Sequence, residues 1–139
     1  MNLSEIMTTE LITCSPDETI AEVARKMEVG NVGSCPVVEG DRLVGLITDR
    51  DIATRAVARG LDTESTKVAE VMTRDLITGR PDMSIEEACE ILSQHQIRRL
   101  PVVEGERLVG FVALADLAVD LEEEELVAHT LQKISMPAR

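Results

Sequence analysis

Residues 36–40 read PVVEG and residues 42–45 read RLVG. Both strings return 65 positions later, as residues 101–105 (PVVEG) and 107–110 (RLVG). Working outward, residues 5–53 align with residues 70–118 without a gap, and 21 of the 49 pairs are identical. Met7-Thr8 answers Met72-Thr73, and Pro16-Asp17 answers Pro81-Asp82. A repeat of this length, given twice, predicts two copies of one supersecondary unit rather than a solenoid.

Each copy reads alike. Residues 11–14 and 76–78 are short apolar strands before a Ser/Arg-Pro stop. Residues 20–29 and 85–94 are helices with one apolar face (Ile20, Val23, Ala24 and Met27 in the first). Thr19 with Glu22 and Ser84 with Glu87 have capping-box spacing, and Gly30-Asn31 ends the first helix. Residues 35–39 and 42–48 are strands joined by a tight turn at Gly40-Asp41. Residues 100–104 and 107–112 repeat that hairpin. Further helices start near Asp49, with Ile52, Ala53 and Ala56 inward, and near Leu114. The fold class is α/β (α+β), two β-α-β-β-α units packed as a pseudo-two-fold pair. The domains are 1–60 and 68–121, with a polar linker at 61–67. Residues 122–139 form an acidic tail or short helix, with Leu131 and Ile134 on one side.

Composition excludes several functions. The 139 residues carry 14 basic and 26 acidic side chains, a formal charge of −12. That field repels nucleic acid and anionic lipid. Phe111 is the sole aromatic residue, so base-stacking platforms are absent. The start is polar, with no signal-peptide pattern and no apolar run long enough to span a membrane, which predicts a cytoplasmic chain. Three scattered cysteines, Cys14, Cys35 and Cys89, make neither a disulfide framework nor a zinc motif; buried free thiols are expected. No nucleophile, base and orienting group come together in any motif, so no catalytic residue is assigned.

The most specific local signal is Gly45-Leu46-Ile47-Thr48-Asp49-Arg50-Asp51, where a strand meets a helix. Gly45 permits close backbone approach. Thr48 offers a hydroxyl, and unpaired helix-start amides suit a phosphate. Asp51 can accept both hydroxyls of a ribose. The same spacing also makes a capping box, which needs no ligand. The second copy has Ala113 in place of Thr48 and keeps Asp116. It also places Arg98-Arg99 where the first copy has Gly33-Ser34. Those arginines suit either a phosphate or a local ion pair. Arg50 and Arg55 read as a solvated helix face, and His95 as a solvated or core-edge histidine.

Taken together, the paired motifs resemble a tandem pair of CBS domains (cystathionine beta-synthase domains, a Bateman module) over residues 3–118. The chain looks like the small stand-alone prokaryotic type. The resemblance rests on Ile6-Met7-Thr8 and Val71-Met72-Thr73, the two Pro-Val-Val strands, and Gly45…Thr48…Asp51. It implies a regulatory, non-catalytic sensor that binds AMP, ADP or ATP in clefts between the domains, and a homodimer. Carried over by position, Thr48 is the hydroxyl contact and Asp51 the ribose acceptor in the Gly45 motif. Groups near Thr13, Cys14 and Pro36 resemble an adenine wall. Asp116 matches the second ribose acceptor, and Arg98 and Arg99 match phosphate contacts. The alternatives are a dimeric adaptor without a small-molecule ligand and S-adenosylmethionine binding. An unidentified regulated protein is the remaining expected partner. No resident cofactor or metal is implied.

Overall fold

The computed structural model describes residues 1–115, 117 and 124–136. Asp116 and residues 118–123 and 137–139 lie outside them, and so does the expectation for Asp116. The fold is mixed helix and antiparallel sheet, in two repeated units. The compact units do not follow the sequence repeat. One consists of Ile12–Leu76 and is called the first-hairpin unit below. The other joins Met1–Leu11 to the chain from Ile77 onward and is called the second-hairpin unit.

In the first-hairpin unit, α1 (Ile20–Gly30) packs Ile20, Val23 and Met27 into the core. Burying each such side chain is worth about 1.5–3 kcal/mol. Thr19 Oγ1 accepts the Glu22 amide at 3.2 Å, and Asn31 ends the helix at φ 53°. The polar linker docks on the start of this helix. The first two amides of α1, Ile20 N and Ala21 N, donate to the carbonyls of Thr66 and Thr63, each at 3.0 Å. This satisfies donors that no helix can satisfy internally. Strands β1 (Ser34–Glu39) and β2 (Arg42–Thr48) pair antiparallel around Gly40 (φ +65°), with a bulge opposite Val37 and Val38.

Beyond β2, Asp49–Asp51 is a single α-helical turn, α2, which widens into a π-helical turn over Ile52–Val57. Ala58 N reaches Ala53 O at 2.9 Å, and Leu61 N reaches Ala56 O at 3.0 Å, both five residues back. The wider wind breaks the expected apolar face: Ala56 is fully buried, but Ala53 points to solvent. The first strand of the repeat is expected over residues 11–14. Only Cys14 pairs there, in a single parallel bridge to Val37. The Ser15 amide then turns to Glu18 Oε2 at 2.7 Å, and Pro16 has no amide to extend the ladder.

The second-hairpin unit repeats these elements. Helix α3 (Ile85–His95) is capped by Ser84 Oγ, which accepts the Glu87 amide at 3.1 Å, and it ends on Gln96 at φ 52°. Strands β3 (Arg99–Glu104) and β4 (Arg107–Ala113) pair with the same bulge, at Val102 and Val103. Residues 76–78 are not a strand; Gly79 alone bridges Val102. Leu114 and Ala115 are helical, as expected of a helix starting there. The chain then adds α4 (Glu124–Ser135), whose Ile134 and Thr130 are buried, with Leu126 and Val127 packed on the core. Leu131, one turn before Ile134, is 44% exposed.

The leading segments explain why units and repeats diverge. Met7-Thr8 belongs with the second hairpin, where Thr8 and Phe111 exchange amides at 2.9 and 3.0 Å. Met72-Thr73 belongs with the first, where Thr73 and Leu46 exchange amides at 2.8 and 2.9 Å. Each hairpin is therefore extended by the segment that opens the other copy.

Candidate functional site

In the first-hairpin unit, Thr48 ends β2 and caps α2. Its Oγ1 accepts the Asp51 amide at 3.0 Å, and Asp51 Oδ2 accepts the Thr48 amide at 3.0 Å. This reciprocal box pins one carboxylate oxygen, Oδ2, with Asp51 only 8% exposed. Capping does not exhaust either group. The Thr48 hydroxyl keeps its proton to donate, and among the described residues Asp51 Oδ1 has only an ion pair, to Arg55 Nη2 at 3.7 Å.

The amides expected to meet a phosphate are already used. Asp49 N donates to Gly33 O at 3.0 Å, Arg50 N to Asp49 Oδ1 at 2.8 Å, and Asp51 N to Thr48 Oγ1. A phosphate here would have to find side chains. Arg50 is exposed. Arg55 is not the solvated residue expected from sequence. Its Nη1 donates to Val71 O at 3.0 Å and to Thr73 Oγ1 at 3.1 Å. The π turn swings it there, and nothing in the composition marks such a turn.

Gly45 serves the fold directly. A Cβ there would meet Met72 Sδ at 2.6 Å and Thr73 O at 3.1 Å. Thr13, Cys14 and Pro36 come together beside β1. Cys14 N donates to Pro36 O at 3.0 Å, and Lys26 Nζ donates to Thr13 O at 3.0 Å. Pro36 is buried, and the Cys14 and Cys35 thiols lie in the core, both contacting Pro36 O. The hydrogen bond to Cys35, reinforced by burial, pushes the Cys14 thiol far above its ordinary value.

In the second-hairpin unit, Arg99 lies opposite Ala113, and the Leu114 amide donates to Arg98 O at 2.9 Å. Both arginines line a cavity of about 350 Å³ with Ala113, Leu114, Ala115, Val127 and Leu131. Neither makes an ion pair with any described residue. His95 is exposed. Among the described residues no cluster of His, Cys, Asp and Glu could hold a metal ion, and no helix is long and apolar enough to cross a membrane.

A family model for the CBS domain matches residues 3–58 and 68–123. The CBS domain-containing protein YhcV of Bacillus subtilis is 48% identical over 134 residues, covering 96% of this chain and 95% of its own. Among solved structures, hypoxic response protein I, with two coordinated zinc ions, has a TM-score of 0.80 at 33% identity, over 87% of this chain and 99% of that one. The CBS domain pair of protein MJ0100, in complex with 5′-methylthioadenosine and S-adenosyl-L-methionine, has a TM-score of 0.76 at 30% identity, over 86% and 94%.

Proposed function

This chain belongs to the CBS-domain family, and from that premise we propose that it is a cytoplasmic, non-catalytic sensor of an adenosine nucleotide. AMP, ADP or ATP would bind at the first-hairpin unit, with Asp51 taking the ribose diol and Thr48 donating its hydroxyl proton. The observation that carries this reading is the Thr48–Asp51 box. It pins one oxygen of a nearly buried carboxylate and leaves the other without a hydrogen bond to any described residue. A buried acceptor held in place is what a diol needs, because two charge-assisted bonds then form without reordering the protein. Arg98 and Arg99, together with Asp116, would serve a second and weaker site, since Ala113 brings no hydroxyl.

One observation favours a second reading. The amides at the start of α2 are all bonded, which suits an adenosine ligand without a phosphate there, such as S-adenosylmethionine. Calorimetry on ligand-stripped protein separates the readings. AMP, ADP, ATP, 5′-methylthioadenosine and S-adenosylmethionine should be titrated in parallel. Heat from the nucleotides supports the first reading, and heat from the sulfur compounds alone supports the second. Silence from all five leaves the adaptor reading.

We propose also that a second copy covers the exposed valines of the first-hairpin unit, Val29 at 88% and Val57 at 62% exposure. A homodimer would remove that apolar surface from water. Light scattering should give twice the 15.2 kDa chain mass at micromolar concentration; a monomer mass would overturn this. A regulated partner protein would read the change in packing that the ligand brings.

A further inference from the structure

We infer that Arg55 is a positioning residue for Asp51 and sets how strongly the site prefers a ribose over a deoxyribose. The inference rests on the reading of Asp51 as the ribose acceptor. Arg55 stands in a closed ring of contacts. Leu46 and Thr73 exchange amides, and Thr73 Oγ1 and Val71 O both accept from Arg55 Nη1. Arg55 Nη2 then lies 3.7 Å from Asp51 Oδ1, and Asp51 Oδ2 returns to the Thr48 amide, two residues after Leu46.

Two features make this more than a surface ion pair. Arg55 lies in the π turn over Ile52–Val57, four residues after Asp51, and reaches across the unit to the Val71–Thr73 segment. The guanidinium is also anchored at its other end to a hydrogen-bonded backbone segment, so its position is fixed before any ligand arrives. At 3.7 Å it attracts Oδ1 without forming a hydrogen bond to it. That oxygen is therefore oriented but still open to a hydroxyl. A carboxylate held from both sides can discriminate one hydroxyl more or less; a carboxylate free to rotate reaches either sugar about equally. The second copy has other residue types at these positions: Asp120 matches Arg55 and Ala113 matches Thr48.

The test compares AMP with 2′-deoxy-AMP, by calorimetry, on wild type, Arg55→Gln and Arg55→Lys. Wild type should prefer AMP by roughly tenfold, the effect of one hydrogen bond to a charged acceptor. Arg55→Gln should bring that ratio close to one, and Arg55→Lys should recover only part of it. Lysine keeps the charge but not the fork. A ratio unchanged in folded Arg55→Gln overturns the inference and leaves the ribose site standing. Equal losses for both nucleotides also overturn it, because they indicate a structural or phosphate role. A wild type that does not prefer AMP, or does not bind it, removes the ribose reading and this inference together. If Arg55→Gln does not fold, Thr73→Val removes the hydroxyl anchor alone. Its ratio should fall in the same direction, and an unchanged ratio overturns the inference.

Discussion

Asp51 and Thr48 hold each other: the amide of each donates to the side-chain oxygen of the other, at 3.0 Å in both directions. One pair of residues thus serves the helix and the proposed ligand, and the two roles separate by measurement. Thr48→Ala should lower the stability of the ligand-free protein by about 1 kcal/mol, the cost of a lost N-cap. It should weaken nucleotide binding less than Asp51→Ala does. Asp51→Ala removes a charged acceptor and should weaken binding by roughly 2–3 kcal/mol, about 30–150-fold. Melting without ligand, followed by calorimetry, gives both numbers for each variant. Unchanged binding by folded Asp51→Ala would falsify its assignment to the ribose.

A second expectation concerns the close approach of Met72 to β2. Gly45→Ala would place its Cβ against Met72 Sδ and near the Thr73 carbonyl. The sulfur can move, but the carbonyl is fixed by the Leu46 pairing. Overpacking of this kind costs about 1–3 kcal/mol. Gly110→Ala should cost a similar amount, because there the added Cβ meets Met7. Denaturant unfolding of the two variants checks this. A fully wild-type midpoint for either one would show that the segment can retreat freely.

The hairpins and the two long helices were legible because their signals are local. The apolar run Pro36-Val37-Val38, the turn chemistry at Gly40 and the caps at Thr19 and Ser84 each act within a few residues. The crossing of the leading segments was not legible. Met7-Thr8 and Met72-Thr73 are the same residues, so either could pair with either hairpin, and only tertiary packing decides. Arg55 was misplaced on a solvated face because a π turn has no compositional mark. Thr48 and Asp51 were legible as a pair, but the sequence could not show that the neighbouring amides were already bonded. The bridges at Cys14 and Gly79 were over-read as strands, since apolar runs of three or four residues do not reveal how many of them pair.

The thiols should be inert in the native protein. Cys14, Cys35 and Cys89 are all buried, at 3%, 0% and 1% exposure. Attack requires a thiolate that the reagent can reach: the hydrogen bond with Cys35 raises the Cys14 thiol and lowers the Cys35 thiol, and complete burial keeps the reagent from Cys35. A chromogenic thiol reagent should therefore react slowly with native protein and with all three cysteines in denaturant. Rapid reaction at any one, or a Cys14–Cys35 bond in protein kept reduced, would contradict this.

Lys26 ties α1 to the segment before it, and pH should reveal that tie. Its Nζ lies 2.7 Å from Glu18 Oε1 and donates to Thr13 O, while Glu18 Oε2 accepts the Ser15 amide. The hydrogen bond to Glu18 raises the ammonium pKa above its ordinary value, against the opposing effect of burial. A raised pKa means that the folded state holds the proton more tightly than the unfolded chain. The contribution is therefore complete below the unfolded value of about 10.4, and it is lost as pH rises through the higher folded value. Lys26 is 41% exposed along its side chain, so solvent screens the pair and the contribution is about 0.5–1 kcal/mol at neutral pH. Lys26→Met keeps the stem and removes the charge. Its melting temperature should fall below that of wild type at pH 7, and the gap should narrow above about pH 10. A gap that stays constant through that range would mean that Lys26 acts through packing alone.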